Sequence, residues 1–217
     1  MTTTAPTKII PTVAFSAPKL RVVGKPQPTP RRLKNEQLRP REYLTLAEVE
    51  TLIATAKKRG RYGQRDAVAI LVCYRHGLRV SELCGLRWDQ INIDTADINI
   101  RRAKGGKPAV HPLSGLELRE LRRLRREWPE GRNLFQTERG GAMTPDGFAK
   151  MLARVGVEAG FEWAVHPHML RHACGFKLAN DARDTRAIQD YLGHRSIQST
   201  VRYTELASSR FVGLWQD

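Results

Sequence analysis

His166-Pro-His-Met-Leu-Arg-His-Ala-Cys-Gly-Phe176 and, after a short break, Asp184-Thr-Arg-Ala-Ile-Gln-Asp-Tyr-Leu-Gly-His194 decide how the carboxyl-terminal half of this chain folds. Proline lacks the amide hydrogen that a first helical residue does not use, so Pro167 predicts a helix opening there and running to Asn180. His168 and Arg171 lie three residues apart in it and so share nearly one face. Asp184 has N-cap chemistry for a helix through Tyr191, and Gly193 predicts its end. A last helical stretch is expected from Ile197 to Tyr203, with a continuation over Leu206 to Trp215.

Upstream, Thr45-Leu-Ala-Glu48 is a capping box, and Leu46, Val49, Leu52 and Ile53 follow at helical spacing through Ala56. A second helix is expected from Gly63 to His76 and a third from near Val80, separated by the turn Gly77-Leu78-Arg79. Two strands fit Asp97 to Arg102 and Lys107 to His111, joined as a hairpin through Gly105-Gly106. Ser114-Gly-Leu-Glu117 is another capping box. It opens a helix with Leu118, Leu121 and Leu124 inward and Arg119, Arg122, Arg123, Arg125 and Arg126 elsewhere, a basic face more often solvated than bound to DNA. Leu134-Phe135 is read as a third strand, and Thr144-Pro145 opens a helix to about Ala159. The sum is an α+β domain, mainly helical, with a small antiparallel sheet.

The chain of 217 residues is 41% hydrophobic, which fits one ordinary domain and argues against wholesale disorder. Its longest apolar run, Ala67 to Cys73, is broken by Tyr74-Arg75-His76, so no membrane role is expected. The opening Met1-Thr-Thr-Thr-Ala-Pro6 lacks the order of a secretory signal, which implies a cytoplasmic protein. Cys73, Cys84 and Cys174 lie in apolar, helix-like surroundings without paired spacing and read as core thiols.

Charge supplies the first functional clue. Lys and Arg number 37 against 22 Asp and Glu, a net charge of +15, so a polyanion is the natural partner. Residues 1–41 carry nine basic residues and seven prolines against the single acid Glu36, with no apolar period. They read as a basic, proline-rich tail, either lying along phosphates or a plain disordered extension. The folded domain is expected over 42–217.

Four features of that domain stand in order: Gly77-Leu-Arg79-Val-Ser-Glu82-Leu83, the hairpin Lys104, His168-Met-Leu-Arg171-His172, and Leu192-Gly-His194 followed nine residues later by Tyr203. Each is weak alone. Together they resemble the catalytic constellation of tyrosine recombinases and phage integrases, and the two stretches quoted at the outset look like the fimbrial phase-variation invertases. The likeness covers roughly residues 41–217 and implies a tyrosine-recombinase catalytic domain.

Breaking a phosphodiester with a side-chain nucleophile requires charge neutralisation, a proton acceptor and a proton donor for the leaving oxygen. Arg79 and Arg171 supply planar forks suited to nonbridging phosphate oxygens. The resemblance makes Tyr203 the nucleophile, forming a 3′-phosphotyrosyl link and a free 5′ hydroxyl without ATP. His168 would accept the tyrosine proton or bond the phosphate, and His194 would donate to a nonbridging oxygen. Lys104 resembles the family's general acid, with Lys107 the competing choice. Glu82, one helical turn after Arg79, matches a supporting acid that orients an active-site cation.

His166, His168, His172 and Cys174 also raise a metal reading. No second carboxylate or cysteine pair completes a site of known spacing, so none is expected. No phosphate-cradling Gly-x-x-x-x-Gly-Lys loop is present, and no cofactor is implied. The family works on double-stranded DNA as a homotetramer over two sites, in some cases with an accessory DNA-bending protein. The apolar end Phe211, Val212, Leu214 and Trp215 suits docking on a neighbour or on its own domain. The function implied is site-specific recombination, by inversion or integration. A non-catalytic DNA-binding regulator and a relaxing topoisomerase are the alternatives.

Overall fold

Thr45 opens the folded region as its spacing requires. Its Oγ1 accepts the Glu48 N–H at 3.3 Å while the Glu48 carboxylate accepts the Thr45 N–H at 2.7 Å, so two orphan donors of the first turn are satisfied. The structure is a computed structural model, and it describes residues 42–103 and 108–205. Helix α1 (Leu46–Lys57) buries Val49, Leu52 and Ala56 against α2 (Gly63–Arg75). From Ala67 to Tyr74 every residue of α2 is buried, and it also packs on the later helices Gly115–Glu127 and Pro167–Asn180, so it forms the spine of the core.

Gly77 ends that spine with φ +55°, and a Cβ there would run into the side chains of Leu192 and Cys174. Only glycine both takes the left-handed turn and lets the chain pass so close. The turn delivers Arg79 to the N-cap of α3 (Val80–Cys84). A 3₁₀ turn (Trp88–Gln90) leads into β1 (Ile91–Asn92), β2 (Asp97–Ile100) and β3 (Ala109–Pro112), an antiparallel sheet in the order β1-β2-β3. Ile98 faces His111 and Ile100 faces Ala109 across the hairpin, and Ile98, Ile100 and His111 are buried.

The hairpin strands are where the sequence placed them, although β2 stops at Ile100, short of the expected Arg102, and β3 runs to Pro112, one residue past the expected His111. Leu134-Phe135 is not a third strand. Both side chains are buried, but the backbone divides its bonds: the Leu134 N–H goes to the Leu86 carbonyl, and the Phe135 carbonyl accepts from Met143. Lacking one continuous neighbour, the segment makes only isolated bridges on either side. The third strand is Ile91–Asn92, whose short turn to β2 is held by Asn92 Oδ1 accepting the N–H groups of Asp94 and Thr95.

Helix α4 (Gly115–Glu127) starts at the Ser114 capping box, with Leu121 and Leu124 buried, Leu118 half-buried and its five arginines from Arg119 to Arg126 exposed. Then come α5 (Pro145–Glu158), α6 (Pro167–Asn180), α7 (Thr185–Leu192) and α8 (Gln198–Glu205). Among the described residues the architecture is thus mainly helical with one small antiparallel sheet, and no helix is long and apolar enough to cross a membrane. Cys73, Cys84 and Cys174 are buried free thiols, and burial pushes Cys84 up to about 11 and Cys174 up to about 12. The tail over 1–41, Lys104, Lys107 and the expected helical continuation from Leu206 lie outside the described residues.

Candidate active site

Helix α8 carries Tyr203 inward, only 2% exposed. Its ring lies flat against Gly175 of α6, where a Cβ would come within 2.7–2.8 Å of ring carbons, and meets Phe176 edge-on at 5.1 Å. The hydroxyl stands 2.8 Å from Nδ1 of His172. Burial, reinforced by the charge of Arg202, lowers the His172 imidazole to about 4, so it is neutral near pH 7. Burial raises Tyr203 against the pull of Arg171, so the nucleophile candidate is held as a phenol. In the tautomer that protonates Nε2, the phenol donates to a neutral imidazole.

Arg171 precedes His172 on α6 and is buried. Its Nη1 donates to the Gly77 carbonyl and its Nη2 to the Leu192 carbonyl at 2.8 Å. One guanidinium therefore joins the turn after α2 to the last turn of α7, where carbonyls left without an amide partner attract a cation. Burial and then the neighbouring charge of Arg79 bring Arg171 down to about 10, which still leaves it charged at neutral pH.

Arg79 points its Nη1 at Glu82 Oε1, 2.7 Å away, and its backbone N–H donates to Glu82 Oε2 at 2.9 Å. Glu82 also accepts from Arg102 Nη1 and from the Ala103 N–H, each at 3.0 Å. Burial by itself pushes this carboxyl up. The hydrogen bonds from Arg79 and Ala103 and the charge of Arg102 outweigh it and hold Glu82 below the usual range. His194 follows the left-handed Gly193, and its Nδ1 lies 2.8 Å from Thr200 Oγ1 while its ring faces that of Tyr203 at 6.2 Å. Burial, then the charges of Arg171, Arg79 and Arg102, lower His194 to about 4.

Arg79, Glu82, Arg171, His194 and Tyr203 are therefore gathered around the α2–α3 turn and the ends of α6, α7 and α8. His168 sits on the exposed side of the first turn of α6, its ring 6.3 Å from that of His172. Two residues join the group without having been singled out. His172, the partner of the phenol, stands in the sequence motif that begins at His168 and among the rejected metal ligands, but with no role in the chemistry. Arg102 had been counted as part of a strand, yet the alternation Ile98, Ile100, Arg102 already placed it on the buried face, where a charge requires a partner. Three guanidiniums, Arg79, Arg102 and Arg171, surround one carboxylate, Glu82, leaving a positive cluster suited to an anion.

The phage integrase family matches residues 42–210. The type 1 fimbriae regulatory protein FimE of Escherichia coli (strain K12) is 42% identical over 182 residues, spanning 81% of this chain and 91% of that protein. The tyrosine recombinase XerD of Ralstonia nicotianae is 34% identical over 177 residues, 77% of this chain and 56% of its own length. In three dimensions the crystal structure of XerA recombinase superposes with a TM-score of 0.68 at 28% identity, over 77% of this chain and 61% of that one. The chain thus spans little more than half of those last two relatives and nearly all of the first. With the match covering the whole described region, the chain belongs to the phage integrase family, the tyrosine-type site-specific DNA recombinases.

Proposed function

We propose that the protein inverts or integrates DNA segments by breaking and rejoining double-stranded DNA through Tyr203, within a catalytic domain over residues 42–217. The observation that carries this reading is the placement of the Tyr203 hydroxyl on a neutral imidazole, beside the Arg171 guanidinium. The phenol oxygen attacks phosphorus and the bond to the 5′ oxygen breaks, leaving a 3′-phosphotyrosyl link and a free 5′ hydroxyl. Return attack by a 5′ hydroxyl reverses the step, so no nucleotide is consumed.

Arg79 and Arg171 hold the nonbridging oxygens. A guanidinium has five N–H donors, so the two bonds from Arg171 to carbonyls leave others for phosphate. His194 donates to a nonbridging oxygen and His168 takes the tyrosine proton or bonds the phosphate, while His172 holds the phenol until DNA arrives. Lys104, or Lys107 in its stead, protonates the leaving oxygen. Glu82 orients Arg79. Residues 1–41 add phosphate contacts through nine basic side chains, so deleting them should weaken binding to all sequences and flatten its salt dependence. The assembly is a homotetramer on paired sites at the nucleoid, helped in some contexts by a DNA-bending protein.

Nicked suicide substrates test the reading. A covalent protein–DNA adduct formed by the parent and missing from Tyr203→Phe supports it. DNA binding with no adduct from either protein overturns it and leaves a DNA-binding regulator of the same fold.

A further inference from the structure

We infer that the arginine face of α4 is a second docking surface for duplex DNA, separate from the candidate active site. Arg119, Arg122 and Arg126 lie along one strand of the sugar-phosphate backbone of a duplex other than the one being cleaved.

Helix α4 packs on α2 and buries Glu117, Leu121 and Leu124. Counted from Arg119, the residues Arg122, Arg123 and Arg126 follow at steps of three, four and seven, so the four form one stripe. All are exposed, on the side of the helix opposite the buried residues. The acids of the helix do not neutralise that stripe. Glu117 turns inward, with Oε1 2.9 Å from Nε2 of His76. Glu120 accepts from Lys57 Nζ at 2.9 Å and from the Gln64 amide. Glu127 pairs with Arg123 at 3.1 Å, and Arg125 is spent on the Gly131 carbonyl at 3.0 Å and on the Trp88 ring. Among the described residues Arg119, Arg122 and Arg126 are left without an ion pair.

The fold gives no reason for that arrangement. Like charges at steps of three and four repel one another along a helix. The helix dipole favours cations only in the last turn, which accounts for Arg125 and Arg126 but not for Arg119 and Arg122. An anion lying along the stripe removes the repulsion. Arg119 and Arg126 are seven residues apart, about 10 Å along the axis. One strand of duplex DNA presents a phosphate about every 3.4 Å of its axis, so the row spans about three phosphates. A rigid, straight row of planar forks fits an evenly spaced polyanion, and arginine is the side chain that grips phosphate through two donors. The cluster of Arg79, Arg102 and Arg171 is built on other elements, so one chain can hold both duplexes.

The test loads the full chain on an immobilised nicked suicide duplex and follows capture of a second, fluorescent duplex of unrelated sequence against salt. Loading requires binding only, so the result is separate from whether Tyr203 forms an adduct. The parent is compared with a variant carrying Arg119→Gln, Arg122→Gln and Arg126→Gln, and thermal unfolding is recorded for each. The variant should cleave the first duplex as the parent does. Its capture of the second should be weaker, with the slope of log affinity against log salt flattened by about 2.7, the counterions released by three phosphates. Should the triple variant not fold, Arg122→Gln alone is expected to flatten the slope by about 0.9. A control that loses the same charge elsewhere, through Lys58→Gln, Lys177→Gln and Arg183→Gln, should keep the parent slope. Equal flattening in both variants reduces the effect to net charge and overturns the site, as does an unchanged slope in the arginine variant. Capture of poly-glutamate but not of duplex through these arginines also overturns it, in favour of an acidic protein.

Discussion

The hydroxyl of Tyr203 and Nδ1 of His172 are bonded at 2.8 Å, linking α8 to α6. The bond joins two neutral groups in a buried setting, so each is costly to leave alone. A double-mutant cycle with Tyr203→Phe and His172→Ala, read by chemical denaturation, is expected to show a coupling of about 0.5–1.5 kcal/mol. Tyr203→Phe should lose covalent cleavage entirely, whereas His172→Ala should retain some, because the proposed nucleophile survives. Additive unfolding energies would show that the pair is not formed in solution.

Gly175 gives the Tyr203 ring its seat. A methyl group placed there would lie 2.7–2.8 Å from three ring carbons, closer than unbonded carbons approach. Gly175→Ala is therefore expected to displace the phenol, lowering stability by about 1–3 kcal/mol and suppressing adduct formation beyond that loss. Denaturation and suicide-substrate cleavage on one preparation check both parts.

The two arginines should separate when stability is measured beside activity. Either alanine variant is expected to slow cleavage by about 10²–10³-fold. Arg171→Ala also strips buried carbonyls at Gly77 and Leu192 of their charged donor and should cost about 2–4 kcal/mol. Arg79 is a quarter exposed, and Glu82 keeps Arg102 and Ala103 without it, so Arg79→Ala should cost about 1 kcal/mol or less. Equal destabilisation by the two would contradict the geometry.

Acid should unfold the domain through its imidazoles. Burial lowers His172 and His194 to about 4 and His111 to about 3, below the ordinary value of 6.5. Between 6.5 and those values the unfolded chain takes up protons that the folded one refuses. The stabilisation is full above pH 6.5 and declines as pH falls through this window. Glu82 and Glu117, both held below the usual carboxylate range, extend the loss further into acid. Denaturation at pH 7.5, 5.5 and 4.5 should show stability falling steadily. Near pH 5 His111→Phe should flatten the slope by one proton, about 1.4 kcal/mol per pH unit.

The helices were legible because their ends are written locally. Thr45, Ser114, Thr144 and Asp184 cap with their own side chains, Pro167 sits at a first position and Gly193 turns left-handed, so each boundary needs only a few neighbouring residues. Leu134-Phe135 misled because buried apolar residues look alike in a strand and in a loop, and the partners that decide are Leu86 and Met143, distant in the chain. The candidate site was readable as a set of residue types. Its wiring was not, since the bonds that define it join Arg171 to Gly77, Arg102 to Tyr191 and Tyr203 to His172 across several elements. Arg102 was within reach of strand alternation, since it lies two residues beyond Ile100 on the face that Ile98 and Ile100 bury.

Because Arg171 fastens the turn after α2 to the close of α7, its guanidinium is held by the same bonds that join those elements. Warming should not produce a folded but inert form ahead of the cooperative melt; competence and compactness should vanish together. The same coupling narrows the ground open to evolution in this enzyme, since a change that slackens the interior near Gly77 or Leu192 also moves the Arg171 guanidinium.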